Sequence, residues 1–100
     1  MSLLDVNTAA VGGSALIEAV IGGEMAATTA GGAAALVAVA PLAADADSAA
    51  FAAALSAAGG AYLGVAAEHV GRRYALAGGQ NLAAVTYLVG EIANATSLTL

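Results

Sequence analysis

Alanine stands at nearly every third position of this chain, and a fold built from so much of it is helical. Alanine is the best helix former and is depleted in strands. The same abundance limits the core: 31 alanines and 13 glycines among 100 residues leave only 25 positions for Leu, Ile, Val or Phe. A single small domain of this kind buries little bulk when it folds alone. A partner is therefore expected to supply the missing burial.

The strongest punctuation is Pro41–Ser48, which gathers the one proline, Asp45, Asp47 and Ser48. Ala-rich stretches flank it. The first predicts a helix over about residues 8–39, and the second, after a turn at 40–47, a helix over about 48–77. Asp45, Asp47 and Ser48 are suited to cap the second helix and to complement its positive N-terminal end. Gly78-Gly79 then predicts a break before a last segment, 80–100, whose end from Asn94 is expected to fray. The expected fold is all-α, an antiparallel two-helix hairpin in a single domain over residues 1–100, completed into a helical bundle by a partner.

Projection of the helices at about 100° per residue separates bulky and small rows. On helix two the bulk is Phe51, Leu55, Ala58, Tyr62, Val65, His69 and Leu76, while Ala53, Ala57, Gly60, Gly64, Ala67, Gly71, Ala75 and Gly78 form a small seam. Helix one has a small seam of its own: Gly12, Ala15, Ala19, Gly22, Ala26, Ala30 and Ala33. Closure through the two small seams leaves Ile17, Ile21, Met25, Leu36 and Val39 of helix one facing outward with Phe51, Leu55, Tyr62, Val65, His69 and Leu76 of helix two. Such an exposed apolar patch marks a protein interface.

Several functions are disfavoured by inventory. A net charge of -5 with two arginines and no lysine is the wrong sign for binding phosphates, so no nucleic acid partner is expected. The missing lysine removes a Walker loop and a Schiff base, and the missing cysteine removes thiolate metal sites and a thiol nucleophile. His69, the one imidazole, has no carboxylate at i+3 or i+4 and reads as a packing residue. An EF-hand loop from Asp45 fails at Ala50 and Ser56, and a nucleophile elbow at Ser14 fails at Leu16. Arg72 and Arg73 read as a solvated patch, with Glu68 and Arg72 forming an i,i+4 pair. No enzyme, cofactor or metal is expected.

A mean hydropathy of +0.90 raises the question of a membrane. Met25–Ala44 and Ser48–Ala67 each run twenty residues without a charge, Asp45 and Asp47 lying between them. Their bulk is small residues, and basic or Trp flanks are missing. A membrane-embedded hairpin, acting as a pore or anchor, stands as one alternative. A homodimeric four-helix module is another. Met1–Val11 has no basic residue ahead of an apolar run, so no cleavable Sec signal is expected there. Near the other end, Tyr87 and Glu91 lie four residues apart, which places an aromatic and a carboxylate on one helix face.

Taken with Pro41-Leu-Ala-Ala-Asp45, Ser48, Phe51, Tyr62 and Asn94, the Tyr87-Leu-Val-Gly-Glu91 tail makes residues 28–94 resemble the mycobacterial PE family. Its members are small helical hairpins exported by type VII (ESX) secretion as heterodimers with PPE proteins. The resemblance implies a PPE-like helical partner, contact with the type VII machinery, and a secreted or cell-surface location with membrane or cell-envelope association. It places the export signal on Tyr87 and Glu91. Thr8-Ala9 stands where the family has its Pro-Glu pair, and Met1-Ser-Leu-Leu-Asp5 resembles the start of small WXG-type substrates, without their Trp-x-Gly turn.

Overall fold

The computed structural model describes residues 4–99 and contains two helices, α1 (Thr8–Val37) and α2 (Ala46–Leu98). The fold is the expected all-α hairpin. Both helix starts are written in the local sequence. Asn7 caps α1, its Oδ1 accepting the Ala10 N–H at 3.0 Å, and Asp45 caps α2, its Oδ1 accepting the Ser48 N–H at 2.8 Å. The Ser48 hydroxyl also donates to Asp45 Oδ2 at 2.9 Å. These bonds satisfy N–H groups that the first helical turn leaves unpaired. They hold the Asp45 carboxyl below its ordinary value of 3.8, the Ser48 N–H first and its hydroxyl second.

Helix α2 departs from the expectation at its far end. It continues through Gly78-Gly79 to Leu98 instead of stopping near residue 77. Two adjacent glycines cost roughly 2 kcal/mol relative to alanines, but they do not forbid helical dihedrals, and no glycine described here has positive φ. Ala77 and Gln80, packed on α1 on either side of the pair, hold this stretch in helical form. The segment from Asn94 is also helical rather than frayed. Thr96 donates from its hydroxyl to the Ile92 carbonyl, and Ser97 to that of Asn94. Met1–Leu3 and Leu100, part of the WXG-like start and the tail, lie outside the described residues.

The chain forms two compact units, each drawing on both helices. One spans Gly22–Arg72 and includes the turn. In it the Val39 N–H donates to Ser56 Oγ at 3.1 Å, and Gly59 lies against the Leu36 backbone. A Cβ built on Gly59 would overlap the Leu36 carbonyl, standing 2.6 Å from its carbon. Only glycine allows this approach. The other unit comprises residues 4–21 and 73–99, where Arg73 Nη1 donates to Glu18 Oε2 at 2.6 Å and Gln80 Nε2 to Ser14 Oγ at 3.3 Å.

Burial follows a 3.5-residue period on both helices. The inward positions of α2 are Ala52, Ser56, Gly59, Leu63, Ala66, Val70, Arg73, Ala77, Gln80 and Ala84, at steps of three and four. On α1 the corresponding row includes Val11, Ala15, Glu18, Gly22, Met25, Thr29 and Leu36, and Val39, just past its end, continues the spacing. This is the spacing that keeps one face of a helix against another. Ala15, Ala52 and Ala77 are the buried hydrophobic residues among those described, and no large side chain among them is fully buried.

The inward rows share only Ala15 and Gly22 with the small seam expected on helix one, and none of the one expected on helix two. On helix one, Gly12, Ala15, Ala19, Gly22, Ala26 and Ala33 are buried or half-buried, with Ala30 exposed. On helix two, the expected small seam lies one residue beyond the true one, two at Ala75, and Ala53, Ala57, Gly60, Gly64, Ala67, Gly71, Ala75 and Gly78 are all exposed. The row that packs inward instead includes Leu63, Val70 and Arg73.

Candidate interaction surface

The bulky row of α2 lies on the other flank of the inward row, one residue before it, and it is exposed throughout. Phe51 is 62% exposed, Tyr62 59% and Val65 53%, with Leu55, His69 and Leu76 also exposed. A helix with its inward row occupied by alanine, glycine and half-buried aliphatics has no room to turn these side chains inside. On α1, Ile17 is exposed as expected, joined by Leu16 and Val20. Met25, Leu36 and Val39 correct the expectation: they are half-buried members of the inward row, and Ile21 is half-buried beside it. Their spacing from Ala15 and Gly22 by threes and fours carries them to the hairpin interior.

Two apolar grooves open in the Gly22–Arg72 unit. One, at the turn, has a volume of about 380 Å³ and is lined by Val39, Pro41, Leu42, Phe51 and Leu55 among others. Leu42 is almost fully exposed at its rim. The second, also about 380 Å³, lies along the small side of the hairpin, between Ala26, Ala30 and Ala33 of α1 and Leu63, Ala67 and Val70 of α2. The same unit thus has a ridge of large side chains and a smooth alanine-lined trough.

Tyr87 and Glu91 are both exposed on the last turns of α2, one turn apart on the same face. With Ala84, Asn94 and Leu98 they continue the three-four steps of the inward row. Counting six residues from the Ser14–Gln80 contact in opposite directions brings Thr8, where α1 begins, level with Thr86. The pair therefore stands just beyond the start of α1, and every described residue from Val85 onward is exposed. Leu82, Val85, Leu88, Val89 and Ile92 form an apolar arc on a neighbouring face of this stretch.

Sequence reasoning did not find the inter-helix pair Glu18–Arg73. Arg73 is not part of a solvated patch: its side chain is 40% exposed and that of Glu18 only 20%. Arg72 fits the expectation, bonded to Glu68 at 2.6 Å in the exposed i,i+4 pair. Their adjacency in sequence hides a difference of about 100° in direction. The signal that separates them is the three-four spacing from Val70 and Ala77, which places Arg73 on the inward row.

The described residues contain no group of three or more His, Cys, Asp or Glu side chains placed to hold a metal ion. Both helices are long and apolar enough, by length and composition, to cross a membrane. The chain matches no family model, no curated protein and no solved structure.

Proposed function

We propose that this protein is a non-catalytic interaction module of the PE type, exported by type VII secretion as a heterodimer with a PPE-like helical protein. The observation that carries the reading is the exposed row Phe51, Leu55, Tyr62, Val65 and Leu76 beside a hairpin interior in which no large side chain among the described residues is fully buried. A second helical surface on that row would bury several large side chains. Each one fully buried there would contribute roughly 1.5–3 kcal/mol. The exposed Tyr87 and Glu91, one turn apart at the far end of α2, are the export signal in this reading and remain accessible when the ridge is covered. The protein then resides outside the cell or at its surface.

Co-expression tests the partnership: the chain alone is expected to be insoluble or poorly helical, and soluble with a PPE-like partner. A well-folded monomer at micromolar concentration would overturn it. Export is tested by Tyr87→Ala, which is expected to stop secretion while leaving the heterodimer intact. Loss of the dimer instead would assign Tyr87 to the interface. The length and apolarity of both helices favour one second reading, a membrane-embedded hairpin. Carbonate extraction separates the two, since a spanning hairpin stays with the membrane pellet. Sedimentation of the purified chain distinguishes a homodimer.

A further inference from the structure

The apolar groove at the turn carries one charge. Val39, Pro41 and Leu42 line it from the turn, and Asp47, Phe51 and Leu55 from the start of α2, at steps of four residues that set the carboxylate and two large side chains on one face. Asp45 is fully engaged, both of its oxygens bonded to Ser48. Asp47 is exposed, and its side chain bonds to no described residue. In the free hairpin water solvates this carboxylate, and the N-terminal end of α2 favours it. A cover over Phe51, one helical turn away, removes that water, and a carboxylate so buried is strongly destabilising unless a counter-charge meets it. The chain has none to offer. Its two cationic side chains, Arg72 and Arg73, already face Glu68 and Glu18 at 2.6 Å, and it has no lysine. A second copy would bring a further net charge of -5 and the same engaged arginines. The cation therefore has to come from a different molecule.

The geometry points to a two-part docking site at the turn: the groove receives a large apolar side chain of the helical partner, and Asp47 receives a lysine or arginine about one helical turn from it. This rests on the proposed heterodimer and deepens it, since Phe51 and Leu55 belong both to the groove and to the exposed bulky row. The step from Asp47 to Phe51 sets the spacing that the partner's segment has to match. Leu42, almost fully exposed at the rim, gains there the burial it lacks in the free hairpin. The charge also gives the partner a direction, with its basic residue toward the turn and its apolar row running away along α2. A charge of this kind selects the partner and its orientation more than it adds affinity.

The complex formed on co-expression with the PPE-like partner is the material for the test, and the rate at which it dissociates is the readout. Asp47→Asn leaves the partner's cation unpaired and is expected to speed dissociation by about tenfold or more. Leu42→Ser is expected to speed it as well, with the helical circular dichroism signal unchanged, because this side chain is almost fully exposed in the hairpin itself. A photo-crosslinking group placed at Leu42, with the product mapped by mass spectrometry, is expected to attach to a partner segment that has a lysine or arginine about one helical turn from the attachment point. Dissociation at the wild-type rate in either variant overturns the docking site and leaves the heterodimer standing. So does attachment to a segment without a basic residue. Failure of the unaltered chain to form any complex overturns the heterodimer itself, and the docking site with it.

Discussion

Replacing Gly59 by alanine sets two opposed effects against each other. Glycine inside a helix costs about 1 kcal/mol relative to alanine, so propensity alone favours the substitution. The new Cβ, however, would fall on the Leu36 carbonyl, 2.6 Å from its carbon. A backbone carbonyl within a helix cannot swing aside, so the helices must separate and the thin interior around Leu36 loses contact. Overpacking of this kind costs typically about 1–3 kcal/mol, which outweighs the propensity gain and leaves a net loss of up to about 2 kcal/mol. Gly60 supplies the control. Its added Cβ meets nothing within 4 Å, so Gly60→Ala keeps the gain of about 1 kcal/mol. A domain of this size shifts in Tm by about 4–8 °C per kcal/mol, so the adjacent variants are expected to move in opposite directions, Gly59→Ala down and Gly60→Ala up. Thermal unfolding followed by circular dichroism, on matched preparations of the wild type and both variants, measures this. Should Gly59→Ala melt as high as Gly60→Ala, the close approach of α1 and α2 at this point is wrong.

Two further outcomes are expected. Asp45→Ala removes the α2 cap and lowers stability at neutral pH. Because folding depresses the Asp45 pKa below 3.8, its contribution is present above that value and is lost as pH falls through the depressed one, so wild-type and variant urea midpoints should converge in acid. A gap that persists undiminished there would show that the carboxylate is not the source. Phe51→Ser and Tyr62→Ser, at exposed positions, should leave the helical circular dichroism signal unchanged while abolishing co-purification with the helical partner. Loss of helicity in the variants would place these rings in the hairpin's own interior instead.

The parts of the fold that were legible in the sequence are those that neighbouring residues decide. Pro41 and the Asp45–Ser48 cap mark the turn and the start of α2, because a missing N–H and a side-chain acceptor act within one helical turn. Exposure of Phe51, Tyr62 and Val65 follows from amphipathic spacing in a chain with too little bulk to cover them. The end of α2 was less legible. Gly78-Gly79 has a poor local preference for helix, and contacts of Ala77 and Gln80 with a distant stretch of chain override it.

Alanine and glycine abundance determined that this protein is helical and poor in interior bulk, and Pro41 with the Asp45–Ser48 cap placed its turn. That abundance could not determine which face of α2 turns inward: up to residue 71 the exposed row Ala53, Ala57, Gly60, Gly64, Ala67 and Gly71 is smoother than the one that packs. That choice rests on Leu36 over Gly59 and on Glu18 with Arg73, a pair 55 residues apart in sequence. Helix formation is a local equilibrium that composition can specify. Selection of a face compares contacts that exist only after the two helices meet.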